Sequence, residues 1–169
     1  PGDIVGLHDT GNFKIGDTFT EGEKLRFTGI PSFAPEQFRY IENADPLKFK
    51  QLAKGIDQLM DEGVAQLFTS SLNGRKIIGT VGALQFEVIQ YRLEHEYNAS
   101  CRWEPISIYK ACWIESDNAA QLADFKRRKH TNMAMDKHGR DVFLADTSYA
   151  LALAQENFKE IRFHFTSEF

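Results

Sequence analysis

The chain has 169 residues, a hydrophobic content of 42%, a charged content of 26%, a formal net charge of −4 and a pI near 5.7. That is enough for one domain or one domain plus a piece, and the acidic balance argues against a nucleic-acid module held by bulk charge, though not against a local basic patch. Two cysteines without a CxxC or histidine partner, Cys101 and Cys112, argue against a disulfide scaffold and fit a reducing cytoplasm, while no signal peptide or membrane-length apolar run is present.

The chain begins at Pro1, without Met, directly before a strand-like segment, which reads as a cut into a larger protein. Residues 2–28 read as short strands between turns, one over Asp3 to His8 and one over Lys24 to Thr28, with turn chemistry at Asp9-Thr10-Gly11-Asn12. So small a β piece cannot bury a core alone, so residues 1–30 read as the tail of a β-barrel. Pro31 to Pro35 reads as a linker into an α/β region, 31–169.

In that region Glu36 to Asn43 reads as a strand. Asp45 offers an N-cap, Pro46 sits at the first helical position and Gly63 follows the end of a helix. Phe49, Leu52, Ala53, Ile56, Leu59 and Met60 share one face of it, and Gly55 inside it points to close backbone packing. Val64 to Ser71 and Lys76 to Val81 form a hairpin around Leu72-Asn73-Gly74-Arg75. A helix over about 83–97 carries two apolar stripes: Phe86, Ile89, Leu93 and Tyr97 on one side, and Leu84, Val88 and Tyr91 on roughly the opposite side. A strand over Ser100 to Ile108 completes a β-α-β-β-α-β order, the ferredoxin-like motif.

The rest repeats that order. Ile108 to Glu115 is a strand, Asp117 caps a helix carrying Leu122 and Phe125, and a hairpin over 132–145 turns at Lys137-His138-Gly139-Arg140. Asp146 or Thr147 caps a helix from Ser148 to about Asn157, apolar nearly all round, and Ile161 to Thr166 is the last strand. The expected fold is therefore α/β (α+β): a β-barrel tail followed by two ferredoxin-like units, about 36–108 and 109–169. Stacked units would bury each other's helices and account for the second stripe at 84–91; one continuous sheet with all helices on one side is the alternative.

Candidate chemistry is sparse. The glycine spacing over Gly11 to Thr18 suits a phosphate loop, but Asp17 occupies the lysine position and no helix follows. Gly79-Thr80-Val81-Gly82 at a helix start could cradle an anion or simply form a turn. Glu94, His95 and Glu96 splay about 100° apart on a helix and cannot converge. His8, His130, His138 and His164 are scattered, and no zinc spacing or nucleophile elbow occurs. Asp61 and Glu62 read as surface charge at a helix end. Lys126-Arg127-Arg128-Lys129 is the one concentrated basic run. It closes a predicted helix, where cations complement the dipole, or it contacts RNA phosphates.

The order of pieces resembles a known family. Gly2 to Leu7 with Ile15-Gly16-Asp17-Thr18 is similar to the end of the second, β-barrel domain of translational GTPases. Phe27-Thr28-Gly29-Ile30-Pro31-Ser32-Phe33-Ala34-Pro35-Glu36 resembles the linker of bacterial peptide chain release factor 3. Asp45-Pro46-Leu47-Lys48, the helix start Val81 to Val88 and Arg92-Leu93-Glu94-His95-Glu96-Tyr97 fit that family's C-terminal domain. The Gly82 to Glu87 segment is also similar to a helix of elongation factor G, with Ala83 and Gln85 in place of its Glu and His. The resemblance covers essentially the whole chain. It implies the end of domain II and all of domain III of a ribosome-dependent GTPase that promotes dissociation of class-I release factors in the cytoplasm. GTP or GDP with magnesium would belong to a G domain outside these residues. This part would be a non-enzymatic, monomeric piece contacting the RNA and proteins of the small ribosomal subunit, with no cofactor, metal or membrane of its own. A small-ligand regulatory module built on paired ferredoxin-like units is the competing expectation, on fold analogy alone.

Overall fold

In a computed structural model the described residues are 33–169 with the isolated positions 4, 6, 8 and 11. The chain divides after Pro31, so residues 33–169 belong to the C-terminal unit. The strands expected over 3–8 and 24–28, and the loop over 11–18, lie outside the described residues.

Strands β1 (Gln37–Asn43), β2 (Gln66–Ser70), β3 (Lys76–Thr80) and β4 (Cys101–Pro105), with helices α1 (Phe49–Asp61) and α2 (Leu84–Glu96), form the first half. The second half repeats the order with β5 (Lys110–Glu115), α3 (Ala119–Arg128), β6 (Met133–Asp136), β7 (Asp141–Ala145), α4 (Ser148–Asn157) and β8 (Arg162–His164). Local chemistry sets most boundaries. The Asp45 carboxylate accepts from Leu47 N at 3.1 Å, and Pro46 opens a single 3-10 turn from which α1 continues. Both hairpins turn on a glycine in the left-handed region, Gly74 at φ 71° and Gly139 at φ 79°, where a Cβ would be strained. The cap of α3 is Asn118 rather than Asp117. The Asn118 side chain accepts from Gln121 N at 3.0 Å, while Asp117 turns away to pair with Arg162. Thr147, not Asp146, caps α4 by accepting from Ala150 N at 3.0 Å. Two side chains expected on the buried face of α1 are exposed, Phe49 and Ala53; they lie toward one flank of the stripe centred on Leu52, Ile56 and Leu59.

All eight strands join one antiparallel sheet in the order β4-β1-β3-β2-β6-β7-β5-β8. The halves meet edge to edge, β2 against β6, from Phe68 opposite Asp136 to Ser70 opposite Ala134. Stacked units are thus excluded, and the continuous sheet holds. The physical reason is that β2 and β6 would each end a half-sheet with unpaired N–H and C=O groups, and pairing them satisfies both rows.

The register places Ile41, Leu67, Ile78, Met133, Cys112, Phe143 and Ile114 on one face of the sheet. There they pack under the helices in two clusters, one with α1 and α2, the other with α3 and α4. All four helices cover this face. Among the described residues the opposite face has no helix, yet Phe38, Phe68, Ile77, Trp113, Val142 and Leu144 are buried on it. Curvature supplies the cover. Phe68 and Trp113 lie three strand spacings apart, about 14 Å in a flat sheet, but their rings are 5.7 Å apart. The sheet therefore curls strongly between β2 and β5, and the connection through Ile106 and Ile108 packs against the concave core.

Trp113 fixes that curl. It is fully buried, and its indole N–H donates to the Asp136 carboxylate at 3.0 Å. Asp136 also accepts from the amides of His138 and Arg140 and from the Arg140 guanidinium, all at 2.9 Å. Burial pushes the Asp136 carboxyl upward, but these donors outweigh it and hold the acid below its ordinary value.

Candidate functional site

The basic run closes α3. Phe125, fully buried, pins the last turn against the sheet and leaves Lys126, Arg127 and Arg128 outside. Lys126 Nζ pairs with Asp141 Oδ2 at 3.0 Å. Arg127 and Arg128 share Asp124, the latter with Nε to Oδ2 at 3.0 Å. The hydrogen bond from Arg127 is the main reason the Asp124 carboxyl sits below its usual range. Lys129 has no ion pair among the described residues, and its amide closes the helix by donating to Phe125 O at 2.9 Å. Four cations thus face two carboxylates, leaving a local excess of two positive charges. Exposed ion pairs are worth about 0–1 kcal/mol and exchange readily for phosphate oxygens. The structure brings the four residues together on one helix end with two side chains, Arg127 at 75% and Arg128 at 62%, largely in solvent.

Other candidate residues resolve into structural roles. In the Gly79 to Gly82 turn the free amides are already occupied: Gln85 Oε1 accepts from Val81 N at 2.8 Å and from Gly82 N at 2.9 Å. That internal cap fills the place an anion would take. Glu94, His95 and Glu96 do not converge. Glu94 accepts from Gln90, the His95 ring stacks on Tyr91, and Glu96 pairs with Arg92. Asp61 binds Lys137, and Glu62 binds Arg92. Burial pushes the Cys101 thiol up to about 11 and Cys112 up to about 12, which keeps both protonated and unreactive near neutral pH. Among the described residues no group of three or more His, Cys, Asp or Glu side chains could hold a metal ion, and no helix is long and apolar enough to cross a membrane.

One recess was not legible in the sequence. An open cleft of about 500 Å³ lies where the connection between the halves crosses the start of β1. Phe38, Ile106 and Ile108 give it an apolar lining, and Glu36, Asp146 and Thr147 line it as well. Asp146 already accepts from Asn132 at 2.9 Å, and Thr147 caps α4. Nothing local in the sequence marks it, because its walls come from segments brought together only by the curled sheet.

A crystal structure of a Thermus thermophilus protein is similar at 16% identity, covering 59% of this chain with a TM-score of 0.42, a likeness too loose to carry an argument. This chain spans 17% of the length of that one. A family model matches residues 27–155 and is described as class II release factor RF3, C-terminal domain. It includes all four helices except the last residues of α4, and both hairpins. With most of the chain matched, this protein belongs to the family of the class II release factor RF3 C-terminal domain.

Proposed function

We propose that this chain is the ribosome-contacting, non-catalytic part of a translation-termination GTPase that promotes the GTP-dependent release of class-I release factors. The observation that carries the reading is the family match over 27–155. In this reading guanine nucleotide and magnesium are handled by a G domain elsewhere in the intact factor. The chain is monomeric and cytoplasmic, and its α/β region moves as one body. The continuous sheet supports that last point, since a hinge between halves would have to break the β2–β6 ladder and the Phe68–Trp113 contact. The cationic end of α3, Lys126 to Lys129, meets the phosphates of the small-subunit RNA.

Sedimentation of the 169-residue chain with purified small ribosomal subunits tests the reading. A saturable complex that weakens steeply with salt is expected, because each phosphate contact releases counterions. Absence of binding at low salt would remove the ribosome from the proposal. Titration with labelled GTP is expected to give no micromolar binding to this chain, and such binding would overturn the division of labour. The cleft between the halves favours a second reading, a small-ligand regulatory module. A metabolite that raises the melting temperature, and loses that effect when Ile106→Trp fills the cleft, would support it.

A further inference from the structure

We infer that the outward face of α2 is a docking surface for a cationic, amphipathic protein segment. The helix has two apolar faces and the fold uses one. Phe86, Ile89 and Leu93 are fully buried, whereas Leu84 is 69%, Val88 41% and Tyr91 62% exposed. The expectation that these three meet a neighbouring unit fails, because the second half joins at the far edge of the half-sheet, beyond β2. Leu84, Val88, Tyr91 and His95 recur at offsets of four, seven and eleven, so they form one continuous stripe along the helix. The His95 ring extends it by stacking on Tyr91 at 3.9 Å. Single exposed apolar residues are ordinary, but a contiguous row on a rigid element marks an interaction surface.

The element is rigid from behind. Gly55 of α1 lies so close that a Cβ there would fall 2.6 Å from Leu93 Cδ2, and Arg92 ties α2 to Glu62 at the end of α1. A preorganised face loses little entropy on binding.

Charge selects the occupant. Glu87 and Glu94 line one edge of the stripe with no Lys or Arg partner among the described residues, and Arg92, on the other edge, is engaged by Glu62 and Glu96. The unbalanced charge beside the stripe is therefore negative. A phosphate backbone is repelled there, whereas a helix with Leu-type anchors and Lys or Arg flanks matches both the apolar row and the carboxylates. A cation can also sit over the exposed Tyr91 ring. The docking surface is independent of the role proposed for α3, which lies in the other half of the sheet.

The test titrates the 169-residue chain with a fluorescent 18-residue amphipathic peptide of leucine and lysine, and maps the site by amide shifts. Saturable binding with shifts centred on α2 is expected, weakened at least tenfold by Val88→Glu or Tyr91→Glu and several-fold, in a salt-sensitive way, by Glu87→Gln with Glu94→Gln. Because the changed side chains are exposed, the variants should melt with the parent; if a Glu variant does not, Leu84→Ser with Tyr91→Ser serves in its place. Four results would each overturn the inference: no binding, equal binding by the variants, equal binding of a leucine–glutamate peptide, or amide shifts centred on α2 when poly(U) is added without the peptide. Concentration-dependent self-association abolished by Tyr91→Glu would assign the face to a second copy and overturn it as well.

Discussion

The two halves of the sheet carry the same order of elements but close their helix layers by different means. In the first half the helices approach backbone to side chain. Gly55 on α1 has no room for a Cβ, which would meet Leu93 and, at 2.9 Å, Tyr97 Cγ. The contact is then locked by Arg92 between Glu62 and Glu96 and by Tyr97 OH donating to Gln58 at 2.6 Å. In the second half bulk replaces proximity. Phe125 on α3 sits among Phe143, Phe158 and Phe163, with ring centroids 5.2, 4.9 and 5.8 Å away in near edge-on arrangements. One topology thus tolerates both a missing side chain and a large one, provided the volume between helix and sheet is filled.

Substitutions probe this contrast directly. The largest effect is expected from Phe125→Ala, which empties the centre of the aromatic cluster and should cost about 3–5 kcal/mol in denaturant unfolding. Next comes Gly55→Ala. Helix propensity alone favours alanine by about 1 kcal/mol, yet overpacking against Leu93 and Tyr97 should reverse the sign and destabilise by about 1–3 kcal/mol. A stabilised Gly55→Ala variant would show that the first half has slack, and the contrast would collapse.

A smaller effect is expected at the seam joining the halves. Asp136→Ala leaves the buried Trp113 indole N–H without its acceptor and should cost about 1–2 kcal/mol, near the lower end for an unsatisfied buried donor. Its pH dependence has a definite sign. The folded carboxyl titrates below its usual value of 3.8, so the stabilisation is present above about pH 4 and is lost as pH falls through the folded value. Acid unfolding followed by tryptophan fluorescence in a Trp103→Phe background should begin at lower stability and lose that acid dependence in Asp136→Asn. The smallest effect is expected at the exposed end of α3, where Arg127→Ala should leave the melting temperature unchanged.

Legibility in the sequence follows locality. The start of α1 is readable because Asp45 and Pro46 act on residues one or two positions away. Both hairpins are readable because Gly74 and Gly139 answer a local backbone demand. Asp117 and Asn118 are both good caps for α3, and residues far along the chain decide between them, Arg162 by pairing with Asp117 and Glu160 by holding Asn118, which is why the expectation of Asp117 fails. The continuous sheet is one of two alternatives the sequence leaves open, since the pairing of β2 with β6 leaves no periodic trace. The concave core under Phe68 and Trp113 escapes a sequence reading for the same reason, and with it the cleft beside Ile106. The second stripe of α2 is apolar as expected but lacks the expected partner; periodicity records that a face is apolar, not what covers it. The basic run of α3 is visible as charge, while its ion pairs with Asp124 and Asp141 emerge only with the fold.

The end of α3, proposed to meet the phosphates of ribosomal RNA, is where the proposed function is most exposed to test. The most direct measurement is the salt dependence of small-subunit binding by the parent chain and by a variant with Lys126, Arg127, Arg128 and Lys129 all changed to Glu. The variant is expected to keep its fold, to bind at least tenfold more weakly at low salt and to show a shallower slope of log affinity against log salt, by roughly one for each lost phosphate contact. Equal affinity and an equal slope for the two chains would contradict the assignment.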